Sequence, residues 1–246
     1  MTAQPSRDTD ADWRELGASQ PYWGVLSHPD FRTETITPEG IDAFYSSGKP
    51  YIDEIARHLQ AATAAGPSGR ALDFGCGVGR LSEAMTDYAS DVVGLDISPG
   101  MLALARTRGG KATYTDQMPA GPFDWINSFI VLQHIPPERG EAIIADLLSR
   151  LAPGGAVSLQ LTAWRDGRHQ WPEPAGWRKL FKAQYLQRWA SRLPLGQILM
   201  YDYDLSRVLR LLNQAGIDEM KLVSTDHDGH RGVIILGRKT AEPYQS

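Results

Sequence analysis

The segment Leu72-Asp73-Phe74-Gly75-Cys76-Gly77-Val78-Gly79-Arg80-Leu81 constrains the fold of this chain more than any other. Residues 70–74 form a short apolar run that reads as a strand. Arg80 to Tyr88, with Leu81, Ala84, Met85 and Tyr88 at helical spacing, reads as the helix after it. Alternate glycines between strand and helix let the main chain turn tightly and let a ligand approach its amides. A dinucleotide loop runs G-x-G-x-x-G, the third glycine allowing close helix packing beside a pyrophosphate. Here the pattern is G-x-G-x-G, position 80 is arginine, and Asp73 lies two residues before the first glycine. A carboxylate there repels a pyrophosphate and attracts an ammonium.

Strand and helix signals alternate on either side of this loop. Val92 to Asp96 is the next strand, and Ser98-Pro99 opens a helix as N-cap and first-turn proline. Ala112 to Tyr114, Phe123 to Ser128 and Ala156 to Leu161 are further strands. Glu138 to Leu151 is a helix that Pro153-Gly154-Gly155 brings to a stop. After Leu205 to Ala215, a helix, Met220 to Thr225 and Val233 to Gly237 read as an antiparallel pair joined by a short polar loop. The expected fold is α/β: a doubly wound, mostly parallel seven-stranded sheet with an antiparallel last strand, between two helical layers and under a helical lid. Four units follow: a helical cap segment at 1–65, its first twelve residues a frayed tail; a core at 66–161; a lid insertion at 162–203; and a closing helix and strand pair at 204–246. In such a sheet a ligand sits at the carboxyl ends of the strands.

Composition removes several function classes. Asp and Glu outnumber Lys and Arg by 29 to 25, so no nucleic acid partner is expected. One cysteine, Cys76, excludes an intrachain disulfide and a cysteine-rich zinc site. The polar, acidic start is unlike a secretory signal, and no apolar run is long enough to span a bilayer. The expectations are a cytoplasmic protein with no membrane partner and no metal, for which a homodimer is compatible.

The loop and its surroundings resemble the class I S-adenosylmethionine-dependent methyltransferases of bacterial small-molecule type. D-x-G-C-G-x-G-R is a common first motif of that superfamily, and the resemblance covers roughly residues 68–161 with five motifs in order. It implies S-adenosylmethionine as cofactor and S-adenosylhomocysteine as product. By resemblance the methionine part lies against Asp73, Gly75, Cys76, Gly77 and Arg80. Asp96, ending the second strand about 20 residues after the loop, meets the ribose hydroxyls, and Ile97 and Met101 flank the adenine. Asp116, Gln117 and Met118 stand in the third motif and Ser128 and Phe129 in the fourth. Phe44 to Gly48 is similar to a segment that covers the cofactor, in which Tyr45 or Ser47 closes over its methionine end.

The resemblance implies methyl transfer to oxygen or nitrogen of a small-molecule acceptor, in the biosynthesis of a metabolite. Carbon methylation, another use of the same cofactor and a non-catalytic binding protein are the alternatives. A hydroxyl acceptor needs a base, commonly histidine. His134 follows the fourth strand, and it is either that base or a structural residue of its motif. His227 and His230, in the sequence Asp226-His227-Asp228-Gly229-His230, are either a base with an orienting carboxylate or part of a solvated turn. Tyr201, Tyr203 and Trp164 are candidate acceptor contacts. Residues 163–200 carry seven Lys and Arg against Asp166 and Glu173; they suit an anionic acceptor or form a solvated helix face.

Overall fold

The computed structural model of the chain describes residues 4–63 and 66–241. Its sheet comprises β1 (Arg70–Phe74), β2 (Asp91–Leu95), β3 (Thr113–Thr115), β4 (Phe123–Ser128), β5 (Leu151–Arg165), β6 (Met220–His227) and β7 (His230–Arg238), in the order β3-β2-β1-β4-β5-β7-β6. β3, β2, β1, β4 and β5 run parallel, whereas β7 is antiparallel to both β5 and β6. This is the doubly wound seven-stranded sheet with a reversed last strand expected from the alternation of signals.

The helices are α1 (Thr9–Ser19), α2 (Pro21–Val25), α3 (Pro38–Ser46), α4 (Gly48–Thr63), α5 (Arg80–Met85), α6 (Pro99–Arg108), α7 (Pro137–Ser149), α8 (Lys182–Ala190) and α9 (Leu205–Gln214). Side chains alternate across the strands and so feed two cores. Leu72, Ile126 and Leu159 pack with Leu147 of α7 and Leu212 of α9. Ala71, Trp125 and Ala156 pack on the other face with Ile52 and Ile55 of α4 and Met85 of α5. A fully buried leucine or isoleucine contributes roughly 1.5–3 kcal/mol. Met101 of α6 joins Phe44 and Val78 in a third cluster, with Trp13, Tyr22 and Val25 packed on it. Ser98 caps α6 by accepting from the Met101 amide, with Pro99 in the first turn.

Four expectations need correction. β5 starts at Leu151, not Ala156, and runs straight through Pro153-Gly154-Gly155. Gly154 takes φ 75° and the register with β4 shifts between Phe123 and Trp125, so the glycine pair forms an irregularity within the strand rather than a stop. α5 ends at Met85, short of Tyr88. Residues 1–3 of the expected frayed tail lie outside the described residues, but the rest of it is held: Arg7 grips the fully buried Asp12 at 2.6 and 2.8 Å, and it donates to the carbonyls of Ala190, Leu193 and Pro194.

The fourth correction concerns residues 162–203. They begin by finishing β5, then hold 3-10 helices at Gly167–His169 and Gly176–Phe181, and then α8. Trp171, Leu186 and Tyr201 pack this insertion onto the α7/α9 face of the sheet. The unit boundary expected at residue 65 lies outside the described residues. Among the described residues no helix is long and apolar enough to cross a membrane.

Candidate active site

The glycine loop stands at the carboxyl end of β1. Gly75, Gly77 and Gly79 all have positive φ, at 78°, 54° and 86°. A Cβ on Gly79 would lie 2.4 Å from the Tyr114 hydroxyl, and one on Gly75 would strike Val131. Glycine is therefore required for conformation and for space at both positions. Asp96, at the end of β2, holds the loop from the side. Its Oδ2 accepts from the Gly77 amide and its Oδ1 from the Ser98 amide, both at 2.8 Å. Burial pushes this carboxyl's pKa up, and the two amide donors oppose that.

Asp73 is anchored by a chain of buried polar groups. The Trp125 indole donates to Ser158 Oγ at 3.0 Å, and Ser158 donates to Asn127 Oδ1 at 2.7 Å. Asn127 donates to Asp73 Oδ1 at 2.9 Å, and Ser82 donates to Oδ2 at 2.6 Å. Asp73, Asn127 and Ser158 are register partners on adjacent strands, so the chain crosses β5, β4 and β1 in one line. Burial raises the pKa of Asp73; the Ser82 and Asn127 donors and the nearby Arg80 oppose it. Among the described residues this carboxyl thus has two neutral donors and no bonded counter-ion.

A cavity opens beyond the loop. Gly75, Cys76, Gly77, Asp96, Ile97 and Met101 line it from the core. Asp116, Met118 and Phe129 to Val131 line it from the loops after β3 and β4. Arg80 reaches it from α5, mostly buried between the Phe44 and Tyr51 rings, with Nη1 on Ser47 Oγ at 3.2 Å and Nε unpartnered. Thr9, Asp10 and Trp13 of α1 and Gly24 and Val25 of α2 close the opposite wall. Among the described residues none of 162–203 lines the cavity; the element that covers it is the N-terminal helix pair α1 and α2. The Cys76 thiol, buried on the floor, has its pKa raised well above the ordinary value, which keeps it protonated.

His134 lines the cavity next to Trp13, with ring centroids 5.0 Å apart. Its Nδ1 lies 2.9 Å from the Leu199 carbonyl. A carbonyl only accepts, so Nδ1 carries the proton and Nε2 keeps the lone pair. The Gln133 side-chain nitrogen stands 3.4 Å from that Nε2, a long contact. Burial lowers the imidazole pKa to about 4, so the ring is neutral across the physiological range. Arg139, in the first turn of α7, is the other polar group at this end. It makes a two-point pair with Asp10 of α1 at 2.6 and 2.7 Å.

The remaining candidates lie elsewhere. His227 packs edge-on against Phe129, which itself lines the cavity. His230 stacks with His169, centroids 4.3 Å apart. Among the described residues neither histidine is hydrogen-bonded to a carboxylate: Asp226 accepts from the Gly229 amide and pairs with Arg231, while Asp228 pairs with Arg168. Tyr201 and Tyr203 are wholly buried in the core, and the Tyr203 hydroxyl sits within bonding distance of the Leu132 and Ile135 carbonyls. Burial pushes the Tyr201 phenol up to about 12. Trp164 is half exposed, on a stretch of β5 beyond the cavity. Tyr45 donates to the Val78 carbonyl behind the glycine loop, Ser47 holds Arg80, Gln117 faces solvent, and Ser128 is buried in the sheet without a partner for its hydroxyl.

Several residues escaped the sequence reading: Asn127, Ser158 and Ser82 behind Asp73, and Asp10, Trp13 and Arg139 around the mouth. Ile130 also belongs here. It lines the cavity with φ 59°, an expensive conformation for a β-branched residue, at about 1–3 kcal/mol. Its amide donates to Gln160 Oε1 at 3.0 Å. The available signal was polar residues inside strands of a parallel sheet, where apolar runs are the rule.

This fold and this site define a class of nucleoside-binding transferases, and comparison with known proteins narrows the class. A family profile described as a methyltransferase domain matches residues 48–216. The chain belongs to this family, the class I S-adenosylmethionine-dependent methyltransferases. It is 34% identical over 119 residues to the ubiquinone biosynthesis O-methyltransferase of Xanthomonas campestris, a match covering 44% of this chain and 49% of that protein. It is 30% identical over 162 residues to the trans-aconitate 2-methyltransferase of Methylobacterium nodulans, covering 63% and 60%. The chain therefore spans about half to three fifths of the length of these curated relatives. Among solved structures, magnesium protoporphyrin IX methyltransferase from Synechocystis with bound S-adenosylhomocysteine superposes with a TM-score of 0.63 at 19% identity, covering 95% of this chain and all of that one.

Proposed function

We propose that the chain transfers the methyl group of S-adenosylmethionine to an oxygen or nitrogen of a small, anionic acceptor in metabolite biosynthesis. The observation that carries this reading is the tautomer of His134: a neutral ring, its proton committed to the Leu199 carbonyl and its lone pair on Nε2, in the wall of the cavity that the glycine loop enters. The residues present fit the cofactor. Arg80, with an unpartnered buried Nε, suits its carboxylate; Asp73, without a bonded counter-ion, suits its ammonium; Asp96 keeps lone pairs for ribose hydroxyls; Ile97 and Met101 offer an apolar slot for the adenine.

When bound, the cofactor supplies an electrophilic methyl group on a sulfonium. The chain's part is to align the acceptor, exclude water and accept a proton, and orientation alone can lower the barrier by ~7–11 kcal/mol. Trp13, Val25, Ile130 and Val131 make the surroundings dry. His134 Nε2 takes the proton of a hydroxyl acceptor, and the Leu199 carbonyl stabilises the resulting imidazolium through Nδ1. For a neutral amine the same nitrogen takes the proton after transfer. Arg139, once released from Asp10, suits an acceptor carboxylate or phosphate; this replaces the 163–200 cluster as the source of anion preference, since none of that cluster lines the cavity. The ubiquinone biosynthesis O-methyltransferase relative supports an oxygen acceptor, and the trans-aconitate relative a carboxylated one.

The test is mass-spectrometric detection of methyl transfer from labelled S-adenosylmethionine to a panel of hydroxylated and carboxylated metabolites, for the parent and His134→Gln. Cofactor binding with no methylated product across the panel would favour the non-catalytic reading. Product formed equally by both proteins would remove His134 as the base.

A further inference from the structure

A second surface lies away from the cavity. Between residues 176 and 195 the sequence carries Arg178, Lys179, Lys182, Arg188 and Arg192 without a single Asp or Glu, in a chain that is acidic as a whole. The same stretch exposes Trp177 by 72%, Leu180 by 83%, Phe181 by 50% and Leu195 by 58%. Large apolar side chains this exposed, within one short stretch of chain, mark an interaction surface. α8 anchors the stretch by burying Leu186 and Ala190. Trp177 and Phe181 of the 3-10 helix before α8 and the half-buried Tyr185 and Trp189 of α8 follow at intervals of four residues and, with Arg188 and Arg192, line one open groove. The Trp177 and Phe181 rings meet edge-on, 6.1 Å apart. Lys182 is paired with Glu173.

The geometry points to this face docking on an anionic lipid bilayer. Exposed tryptophan, phenylalanine and leucine flanked by lysine and arginine are what an interfacial segment needs: rings and aliphatic chains entering the headgroup boundary, cations meeting the lipid phosphates. A single-stranded nucleic acid would stack on the rings but leave Leu180 and Leu195, the exposed aliphatic side chains of the same stretch, in water. A second copy of the chain would bring the same cationic face against itself across a two-fold axis, which is repulsive. The surface is independent of the catalytic reading, because none of its side chains lines the cavity.

Sedimentation of the full chain with vesicles of equal phosphatidylcholine and phosphatidylglycerol, against pure phosphatidylcholine, tests the inference. Partition to the anionic vesicles is expected, weakening with added salt. Each basic residue at the surface contributes roughly fivefold, so Arg188→Glu with Arg192→Glu lowers partition by at least about 25-fold. Trp177→Ser with Phe181→Ser lowers it about tenfold or more, with unchanged calorimetric affinity for S-adenosylhomocysteine and an unchanged melting temperature. No partition, equal partition to neutral vesicles, or indifference to both double variants would overturn the inference. So would a dimer that either double variant dissociates, or an oligothymidine probe that binds this face while vesicles do not.

Discussion

Asp73→Asn separates the two roles that the structure gives this acid. The substitution exchanges one carboxylate oxygen for an amide nitrogen. Asn127 cannot turn over to accommodate it, because its Oδ1 is held by Ser158, which Trp125 holds in turn. The new amide must therefore show its oxygen to Asn127 and its nitrogen to Ser82, whose hydroxyl reverses from donor to acceptor. Asn127 and Ser82 each keep their bond to residue 73, so the fold survives. Burial raises the folded-state pKa of Asp73; such a group weakens the native state as pH rises through that pKa and has no effect below about pH 4, where both states are protonated. The variant is expected to melt no lower than the parent at neutral pH, and its advantage is expected to vanish in acid.

Cofactor affinity should move the other way. Opposite unit charges about 5 Å apart at an effective dielectric near 20 attract by ~3 kcal/mol, and a charge-assisted hydrogen bond carries a net ~1.5–3 kcal/mol. Either figure implies a loss of about 10- to 150-fold. Titration calorimetry with S-adenosylhomocysteine and with adenosine reads it: the first should weaken by that factor and the second, lacking the ammonium, should not change. Affinity for S-adenosylhomocysteine within twofold of the parent would refute the argument and leave Asp73 as a purely structural anchor.

Asp96→Ala should weaken S-adenosylhomocysteine and adenosine alike by about 1–3 kcal/mol, since it removes the ribose acceptor and frees the Gly77 amide; unchanged adenosine binding would argue against that role. With His134 lowered to about 4, the acid limb of the rate profile should fall near pH 4 and not near 6.5, and the same ring should destabilise the fold by up to ~3 kcal/mol between pH 6.5 and 4, read by thermal melts. Asp10→Ala breaks the half-exposed pair with Arg139, so stability should drop by less than about 1 kcal/mol, while stopped-flow release of S-adenosylhomocysteine should quicken several-fold; an unchanged release rate would show that α1 does not govern exit.

Much of this was legible before the structure. The β1 loop was readable because glycine at a positive φ leaves a mark that few other residues can imitate, and Ser98-Pro99 because cap and proline act locally. β5 misled for the same local reason: Pro153-Gly154-Gly155 looks like an ending, but the strand pairs with β4 on both sides of it, Leu151 with Phe123 and Ala156 with Trp125, and the extra residues are absorbed as an irregularity. The mouth was unreadable. Asp10, Trp13 and Arg139 are ordinary surface-type residues until the fold brings Asp10 of α1 onto Arg139 of α7, more than a hundred positions away in sequence. Tyr201 and Tyr203 misled in the opposite sense, since aromatic side chains near a lid look like acceptor contacts when they serve as filling.

Arg7 touches nothing in the cavity, yet it fastens the closing helix at Asp12 and the end of α8 at three carbonyls. Trimming by a protease or a cloning choice that removed only the residues before Asp8 would spare every lining side chain and still leave the door without its hinge pin. Such shortened forms should retain the sheet and its glycine loop while losing grip on whatever the door encloses.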